Sequence, residues 1–209
     1  QRKTREMSSL TLPSASEIEA LHRKYAPTES VFELVFTHCK IVSNIAMQLA
    51  EKSGANVDIE LVRVGCLLHD IGVYPLFDKN GAETDTSKYI THGVLGEEIL
   101  QNEGFAEELC RFASHHTGAG ITKEQIIESN LPLPHNDYLA ETPEEELVMY
   151  ADKFHSKIQP PVFNSHKFYT EYVARFGVEA EESFASLTEK FGKPDLEPLM
   201  AQYGQGLRD

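Results

Sequence analysis

The stretch LVRVGCLLHDIGVYP, residues 61–75, decides the fold, because an almost wholly apolar run ends in a histidine followed by an aspartate. The run has no polar face, which is typical of a helix that is buried on every side within a helical domain. Gly72 and Pro75 follow closely and end this helix. The sequence therefore predicts a central helix that carries His69 and Asp70 at its buried end.

The segments on either side also show helical spacing and helical end signals. Apolar residues recur three and four positions apart between residues 30 and 52, and Gly54 follows in the position favoured for a C-terminal cap. Thr142-Pro143 before three glutamates marks another helix start, and this helix is expected to reach about Ile158. Further helices are predicted near residues 14–26, 91–104, 105–116, 122–129 and 165–203. No alternating run is long enough for a central strand, so the predicted fold class is all-α, a single helical bundle.

Length and composition limit the function classes. The chain has 209 residues, of which 41% are hydrophobic, enough for one well-packed domain. The formal net charge of −14 argues against nucleic acid as the main partner, because duplex binding depends on basic residues that meet phosphates. No apolar run approaches the roughly 20 residues that cross a bilayer, and QRKTREMSSLTLPSASE at the start lacks the hydrophobic core of a secretion signal. We expect a soluble, cytoplasmic protein with no membrane partner.

The three cysteines are expected to be buried free thiols. Cys39, Cys66 and Cys110 all lie inside helical apolar patterns and show no CxxC spacing. An odd number of such cysteines favours neither a disulfide framework nor a zinc site, and it fits a reducing compartment.

The apolar pattern turns several polar residues inward, and they lie on separate predicted helices: His38, His69, Asp70, His92, His116 and Asp152. His115 lies about 100° from His116 around its helix. A lone histidine on an apolar face is commonly a satisfied core residue, but an unpaired buried carboxylate is costly. Pairwise His–Asp hydrogen bonds are the structural alternative, whereas a shared cation would satisfy all of these groups together. Imidazole and carboxylate ligands suit zinc, iron, manganese, cobalt or nickel better than calcium.

Together, His38, His69-Asp70-Ile71-Gly72 and Asp152 resemble the H…HD…D signature of the HD-domain superfamily, in its HDIG-containing branch. The match covers roughly residues 30–160, the expected HD domain. Residues 1–29 are expected to form an N-terminal helix and tail, and residues 161–209 a C-terminal helical extension that packs on the same domain.

The resemblance implies a centre of one or two divalent transition metal ions (Fe, Mn, Zn, Co or Ni) held by His38, His69, Asp70 and Asp152. Members with two metals add histidines from the two helices between the HD pair and the last aspartate. In this chain those places are taken by His92 and by either His115 or His116. The spacing of apolar residues on this helix favours His116, while some members with a His-His pair use the first histidine. The choice between the two therefore stays open.

For activity, the resemblance implies a metal-dependent phosphohydrolase that acts on a small phosphorylated substrate such as a nucleotide. Asp70 would bridge the metals and act as a catalytic residue. Lys153 and Lys157, expected one turn apart on the helix of Asp152, would hold the phosphate. Between the HD pair and His92, the loop VYPLFDKNGAETDTSKYIT is long enough to act as a lid. The substrate-binding candidates in this loop are Lys79, Lys88, Tyr74 and Tyr89.

Some features keep alternatives open. Many HDIG proteins have a lysine after the glycine, but this chain has Val73. A smaller group of HD-domain oxygenases, with a mixed-valence di-iron centre that oxidises a polyol or a phosphonate, shares the same ligand pattern and ranks second. A non-enzymatic interaction module ranks lower, because no expected ligand position is missing. For the aromatic C-terminal segment, packing on the bundle is favoured over a homodimer interface, and the oligomeric state is left open.

Overall fold

The computed structural model describes residues 10–209, which form the predicted all-α bundle. Residues 1–9, part of the expected N-terminal tail, lie outside the described residues. The helices of the described part are α1 (Ala15–Tyr25), α2 (Glu29–Ser53), α3 (Ile59–Leu68), α4 (His92–Asn102), α5 (Glu107–Ser114), α6 (Lys123–Glu128), α7 (Pro143–Asp152), α8 (His166–Val173), α9 (Val178–Phe191) and α10 (Glu197–Tyr203). Short 3-10 helices span Ile71–Leu76, Thr86–Thr91 and Ala174–Phe176. Three very short strands complete the fold: β1 (His155–Ser156), β2 (Val162–Asn164) and β3 (Leu207–Arg208).

The two helices that carry His38 and Asp152 begin at side-chain caps. The Thr28 hydroxyl accepts a hydrogen bond from the backbone N–H of Val31, so α2 begins with one of its free N–H groups satisfied. Thr142 does the same for Glu145 at the start of α7, where Pro143 occupies the first turn. Gly54 then ends α2 in the left-handed conformation, with φ of 65°, that glycine adopts most readily.

Helix α3 lies in the middle of the bundle, against α2, α5 and α7. Most of its residues are buried, as the all-round apolar sequence predicts. Gly65 lets α5 come close, because a Cβ at this position would lie 2.5 Å from the Phe112 ring. The three cysteines are buried and free, also as predicted.

Gly72 lets the 3-10 helix that follows α3 pack against the start of α4. A Cβ added to this residue would lie 1.9 Å from the carbonyl oxygen of His92 and 2.2 Å from the backbone nitrogen of Gly96. Both neighbours are backbone atoms, so neither can rotate away. The glycine therefore permits the contact that places Asp70 close to the first residue of α4.

The helix of Asp152 ends earlier than the sequence predicts. It was expected to reach Ile158, but α7 stops at Asp152 and the chain turns into β1. The carbonyl of Lys153 accepts a hydrogen bond from the Asn164 side chain, and the carbonyl of Phe154 accepts one from the Asn164 backbone, both at 2.9 Å. These acceptors are therefore used by β2 and cannot continue the helix. The prediction that Lys153 and Lys157 lie one turn apart on one helix was wrong.

The C-terminal segment packs on the bundle and then adds the edge of the sheet. Phe184 and Phe191 of α9 are buried in the same core as α2 and α7. Strand β2 pairs with β1 in antiparallel fashion and with β3 in parallel fashion, and Asn164 lies opposite Arg208. Among residues 10–209, no helix is both long and apolar enough to cross a membrane.

Candidate metal centre

Five separate elements each contribute to one cluster of buried histidines and carboxylates. His38 lies in the middle of α2, and His69 and Asp70 directly follow α3. Of the remaining residues, His92 begins α4, His116 follows α5 and Asp152 ends α7. The side chains of these residues are buried except that of Asp152, which is 16% exposed.

One half of the cluster is formed by His38, His69, Asp70 and Asp152. The Nε2 atom of His38 lies 3.0 Å from Asp152 Oδ1 and 3.2 Å from Asp70 Oδ2. His69 Nε2 lies 3.2 Å from Asp152 Oδ1 and 3.6 Å from Asp70 Oδ2. Their ligand atoms all lie within 4.8 Å of one another, so a single cation could contact all four residues.

The other half uses the second oxygen of the same aspartate. Asp70 Oδ1 lies 3.5 Å from His92 Nε2 and 3.3 Å from His116 Nε2. The two Nε2 atoms are 2.9 Å apart. Asp70 therefore belongs to both halves, with one carboxylate oxygen directed to each.

Backbone carbonyls fix which nitrogen of three of these histidines carries the proton. Nδ1 of His69 lies 2.6 Å from the Cys66 carbonyl, and Nδ1 of His92 lies 2.6 Å from the Tyr89 carbonyl. His116 makes the same contact with the carbonyl of Phe112 at 3.1 Å. Because a carbonyl only accepts, each Nδ1 donates, so in the neutral rings of His92 and His116 the Nε2 atom carries the lone pair that faces Asp70.

A chain of side chains orients His38 in the same way. The Gln205 carbonyl oxygen accepts a hydrogen bond from His155 Nε2 at 2.6 Å, so Nδ1 of the neutral His155 ring is an acceptor. His38 Nδ1 lies 2.8 Å from that atom and donates to it, which leaves His38 Nε2 unprotonated and directed at Asp70 and Asp152. The sequence analysis missed His155 because its segment was read as helical and its partner lies far away along the chain.

Two lysines balance the carboxylates. Lys157 Nζ lies 2.5 Å from Asp70 Oδ2, and Lys153 Nζ lies 2.8 Å from Asp152 Oδ2. Burial opposes ionisation of Asp70 and Asp152, but the adjacent ammonium groups and imidazoles hold the pKa of both carboxyls well below the usual range. Both groups therefore stay ionised, the form that binds cations.

The arrangement fits a divalent cation better than it fits the protein groups alone. The Asp70 Oδ1 atom is buried and has no hydrogen-bond partner among residues 10–209. It faces the lone pairs of His92 and His116, and burial lowers the pKa of His92 to about 3 and also lowers that of His116, so these rings stay neutral. An unpaired carboxylate oxygen beside two imidazole lone pairs is costly unless a cation lies between them.

His69, in the other half of the cluster, also indicates that the site fits a cation. Burial opposes its charged form, but the negative charge of Asp70 outweighs this and raises the pKa of His69 well above its usual value. A proton on His69 thus balances charge that a bound cation would otherwise balance. Nitrogen and oxygen ligands of this kind suit a transition metal ion such as iron, manganese, zinc, cobalt or nickel.

Four candidates from the sequence lie outside the cluster. His115 points away from it, with Nδ1 2.6 Å from Ser114 Oγ, because one further residue turns the side chain about 100° around α5. The Tyr74 hydroxyl is buried and lies 2.6 Å from His22 Nδ1, so its role is in packing. Lys79 and Lys88 are exposed and do not line the cavity above the centre. The structure therefore favours His116 over His115 as the ligand, and it places Tyr74, Lys79 and Lys88 apart from the cavity, so their predicted role in substrate binding gains no support.

A cavity of about 760 Å³ opens directly above the cluster. Tyr89, at the end of the long loop, lines this cavity and stacks on the His92 ring with the ring centres 4.5 Å apart. Lys153 and Lys157 also line it, beside the carboxylates. Its other walls hold the loop 117–121, aromatic residues and two arginines, which include Phe168, Tyr172, Phe176, Arg175 and Arg208.

Comparison with known proteins was made on both sequence and structure. The family model described as HD domain matches residues 35–157. An uncharacterized protein of Methanocaldococcus jannaschii is 47% identical over 123 residues, which cover 57% of this chain and 65% of that protein. A tRNA (cytidine(56)-2'-O)-methyltransferase of Thermoplasma volcanium is 35% identical over 140 residues, covering 65% of this chain and 37% of the relative. Ribonuclease Y of Treponema denticola is 42% identical over 84 residues, covering 40% of this chain and 14% of the relative.

Among solved structures, the HD domain of the phosphodiesterase PgpH of L. monocytogenes, in complex with cyclic-di-AMP, has a similar fold. Its TM-score is 0.50 at 19% sequence identity, and the alignment covers 92% of this chain and 99% of that one. The present chain spans less than two thirds of the length of each of the three relatives found by sequence.

Proposed function

The chain belongs to the HD domain family, and we propose that it is a metal-dependent phosphohydrolase that cleaves the phosphate ester of a small compound, nucleotides included. The observation that carries the proposal is the shared Asp70 carboxylate, which directs one oxygen to each of two histidine groups. The HDIG run, residues 69–72, supports the hydrolase branch of the family. That the chain belongs to this branch stays a prediction.

In this proposal, His38, His69, Asp70 and Asp152 would hold one divalent ion, and Asp70, His92 and His116 a second. Such ions supply Lewis acidity toward phosphoryl oxygens and lower the pKa of water, which is the chemistry that ester hydrolysis needs. The identity of the metal stays open, because this donor set serves several ions.

The remaining roles belong to the side chains that face the cavity. Asp70, whose Oδ2 atom is paired with Lys157, is held ionised and in a fixed orientation. Lys153 and Lys157 place positive charge at the edge of the cavity, where the phosphoryl group would gain negative charge. Tyr89 on its 3-10 helix would cover one side of the substrate and limit the access of water.

Similarity to named proteins supports a phosphorylated substrate without identifying it. The structure of PgpH holds cyclic-di-AMP, a small phosphorylated nucleotide. Two relatives carry the names of enzymes that act on RNA, but this chain covers only 37% and 14% of their lengths. With a net charge of −14, the chain offers little attraction to a long polyanion, so we favour a small substrate.

The test is phosphate release without oxygen. Purified protein supplied with manganese under anaerobic conditions should release phosphate from a generic aryl phosphate or from a metabolite in a phosphate-ester panel. Asp70→Ala should lower this activity at least tenfold. An iron-containing protein that consumes dioxygen with a polyol or phosphonate, and releases no phosphate from the esters, would contradict the proposal in favour of the oxygenase alternative.

A further inference from the structure

Arg208 is held firmly by groups that also support the metal centre. Its Nε donates to Asn164 Oδ1 at 2.8 Å, and its guanidinium lies 4.4 Å from the centre of the Phe168 ring. The other end of the Asn164 amide donates to the carbonyl of Lys153, next to Asp152. One buried asparagine therefore connects Arg208 with the backbone beside the cluster.

The rest of this guanidinium has no partner in the part of the chain that the structure describes. Within residues 10–209, neither Nη atom of Arg208 makes a hydrogen bond or an ion pair, although the residue is half-buried. Most other buried or half-buried cations are paired, as Lys157 is with Asp70 and Arg111 with Glu145. With 33 acidic residues against 19 lysines and arginines, a half-buried arginine without a carboxylate is unexpected.

The unpaired Nη atoms belong to a residue that lines the same cavity as Asp70 and Asp152. An aromatic wall of Phe168 and Tyr172 flanks it, and Arg175, 4.0 Å over the Tyr172 ring, lines the cavity as well. The metal cluster thus lies in one part of a single cavity that also contains two guanidinium groups.

A purely structural role explains only part of this arrangement. Stacking on Phe168 and the bond to Asn164 would hold the end of β3 in place, and both are satisfied through Nε and the face of the guanidinium. The two Nη groups have no partner among the described residues 10–209, and they form the planar fork that binds phosphate or carboxylate through two parallel hydrogen bonds. Arg208 also lies outside residues 35–157, so this feature is not part of the region matched as an HD domain.

We propose that Arg208 determines substrate class: it binds a second anionic group of the substrate while the first phosphoryl group lies at the metal cluster. This inference rests on the proposed function, since it concerns the same cavity. Substrates with one isolated phosphoryl group would bind more weakly than those with a second phosphoryl or carboxylate group at the matching distance. Arg175, which is exposed, would add to the local positive charge.

The experiment uses alkylphosphonates as ligands, because their C–P bond is not an ester and ester hydrolysis leaves it intact. Dissociation constants are measured by calorimetry for linear alkylphosphonates and for alkane bisphosphonates of increasing spacer length, with the protein as purified. At one spacer length, the bisphosphonate should bind about 10- to 100-fold more tightly than the alkylphosphonate, the range of a charge-assisted hydrogen-bond pair. Carboxyalkylphosphonates of the same lengths then show whether phosphoryl or carboxylate is the preferred second group.

Arg208→Gln should abolish this preference and leave alkylphosphonate binding unchanged. Arg208→Lys keeps the positive charge but loses the planar pair of Nη donors. It should keep only a small part of the preference for bisphosphonates. Arg23→Gln is the matched control, because Arg23 also lies over a phenylalanine ring, 3.9 Å from the centre of Phe32, and does not line the cavity.

Unchanged alkylphosphonate affinity also shows that Arg208→Gln is folded. The inference is overturned if no spacer length is preferred by the wild type, or if Arg208→Gln weakens both ligand series by the same factor. The assay involves no turnover, so an Arg208-dependent preference in a protein that cleaves no ester would contradict the proposed function alone.

Discussion

Two adjacent histidines, His115 and His116, have different surroundings although they share a sequence motif. His116 Nε2 faces the unpartnered oxygen of Asp70, while His115 lies beside Ser114 and Arg111, away from the cluster. The pair therefore offers an internal comparison of a proposed ligand with a non-ligand of the same residue type.

We predict that His116→Ala loses a metal ion while His115→Ala retains the wild-type content. His116 supplies one of three donor residues in its half of the cluster, and loss of a donor weakens metal binding strongly. Phosphate release should fall at least tenfold in His116→Ala only. Metal content is measured by elemental analysis and activity on the same preparations. Equal metal content in both variants would contradict the assignment.

At the scale of residues, the sequence predicted the members of the cluster better than the residues that orient them. The inward positions of His38, Asp70 and Asp152 follow from helical periodicity, which relates each residue to its own helix. His155 and Arg208 could not be found in this way, because their roles depend on partners in distant segments, such as His38 for His155. Helical spacing alone favoured His116 over His115 but did not settle the choice.

The surroundings of His22, on α1, predict that part of the free energy of unfolding depends on pH. Its ring is fully buried, with Nε2 donating to the Leu67 carbonyl at 2.7 Å and Nδ1 accepting from the Tyr74 hydroxyl at 2.6 Å. Burial lowers the pKa of His22 to about 4. Because the unfolded chain binds this proton near pH 6.5, the stability due to neutral His22 is full above pH 6.5 and is lost as pH falls toward 4.

Wild type should therefore have a higher free energy of unfolding than His22→Gln above pH 6.5. We predict that this difference shrinks by up to about 3 kcal/mol as the pH falls toward 4. Urea unfolding of both proteins, monitored by circular dichroism at several pH values, measures it. Because other buried histidines are present in both proteins, the comparison isolates His22. A difference that stays constant across the range, or grows on acidification, would contradict the prediction.

At the scale of elements, the 3-10 helix Ile71–Leu76 that follows α3 must touch the start of α4 for the cluster to form. Gly72 allows this contact, since a Cβ would collide with backbone atoms of His92 and Gly96. We predict that Gly72→Ala separates the two elements, destabilises the fold by about 1–3 kcal/mol and weakens metal binding by His92 and His116. Unfolding by urea and elemental analysis measure the two effects.

Gly206→Ala is the control, because a Cβ at Gly206 would meet nothing within 4 Å. It should change neither stability nor metal content by a measurable amount. If Gly72→Ala is as stable as Gly206→Ala and keeps full metal content, the close contact is not needed for the centre.

Element boundaries show where sequence reasoning was less accurate. The start of α7 was predicted because its threonine cap is a local signal, whereas α2 was predicted from apolar spacing and from the glycine at its end. The end of α7 was not, because the Lys153 and Phe154 carbonyls are taken by Asn164, ten or more residues further along the chain. The small sheet was missed for the same reason, since its strands are two or three residues long and carry no alternating pattern.

At the scale of the whole molecule, the fold brings the middle of α2 and the buried ends of α3, α4, α5 and α7 to one point in an acidic chain. The chain has a net charge of −14, but the residues that line the cavity include two lysines and two arginines. Local positive charge of this kind would draw a small anion into the cavity although the molecule as a whole is negative. The division of the chain at residues 30 and 160, the oligomeric state and the substrate stay open to experiment.

The most direct test of the account is the metal content of the purified protein and of two aspartate variants, measured by elemental analysis after dialysis. Wild type and Asp137→Ala, which removes an exposed carboxylate that accepts a hydrogen bond from the Lys123 backbone and lies outside the cluster, should contain a transition metal at a comparable amount per chain. Asp70→Ala should be largely free of metal while it stays folded by circular dichroism. Wild-type metal content in folded Asp70→Ala would contradict the central claim that Asp70 joins the histidine groups around shared cations.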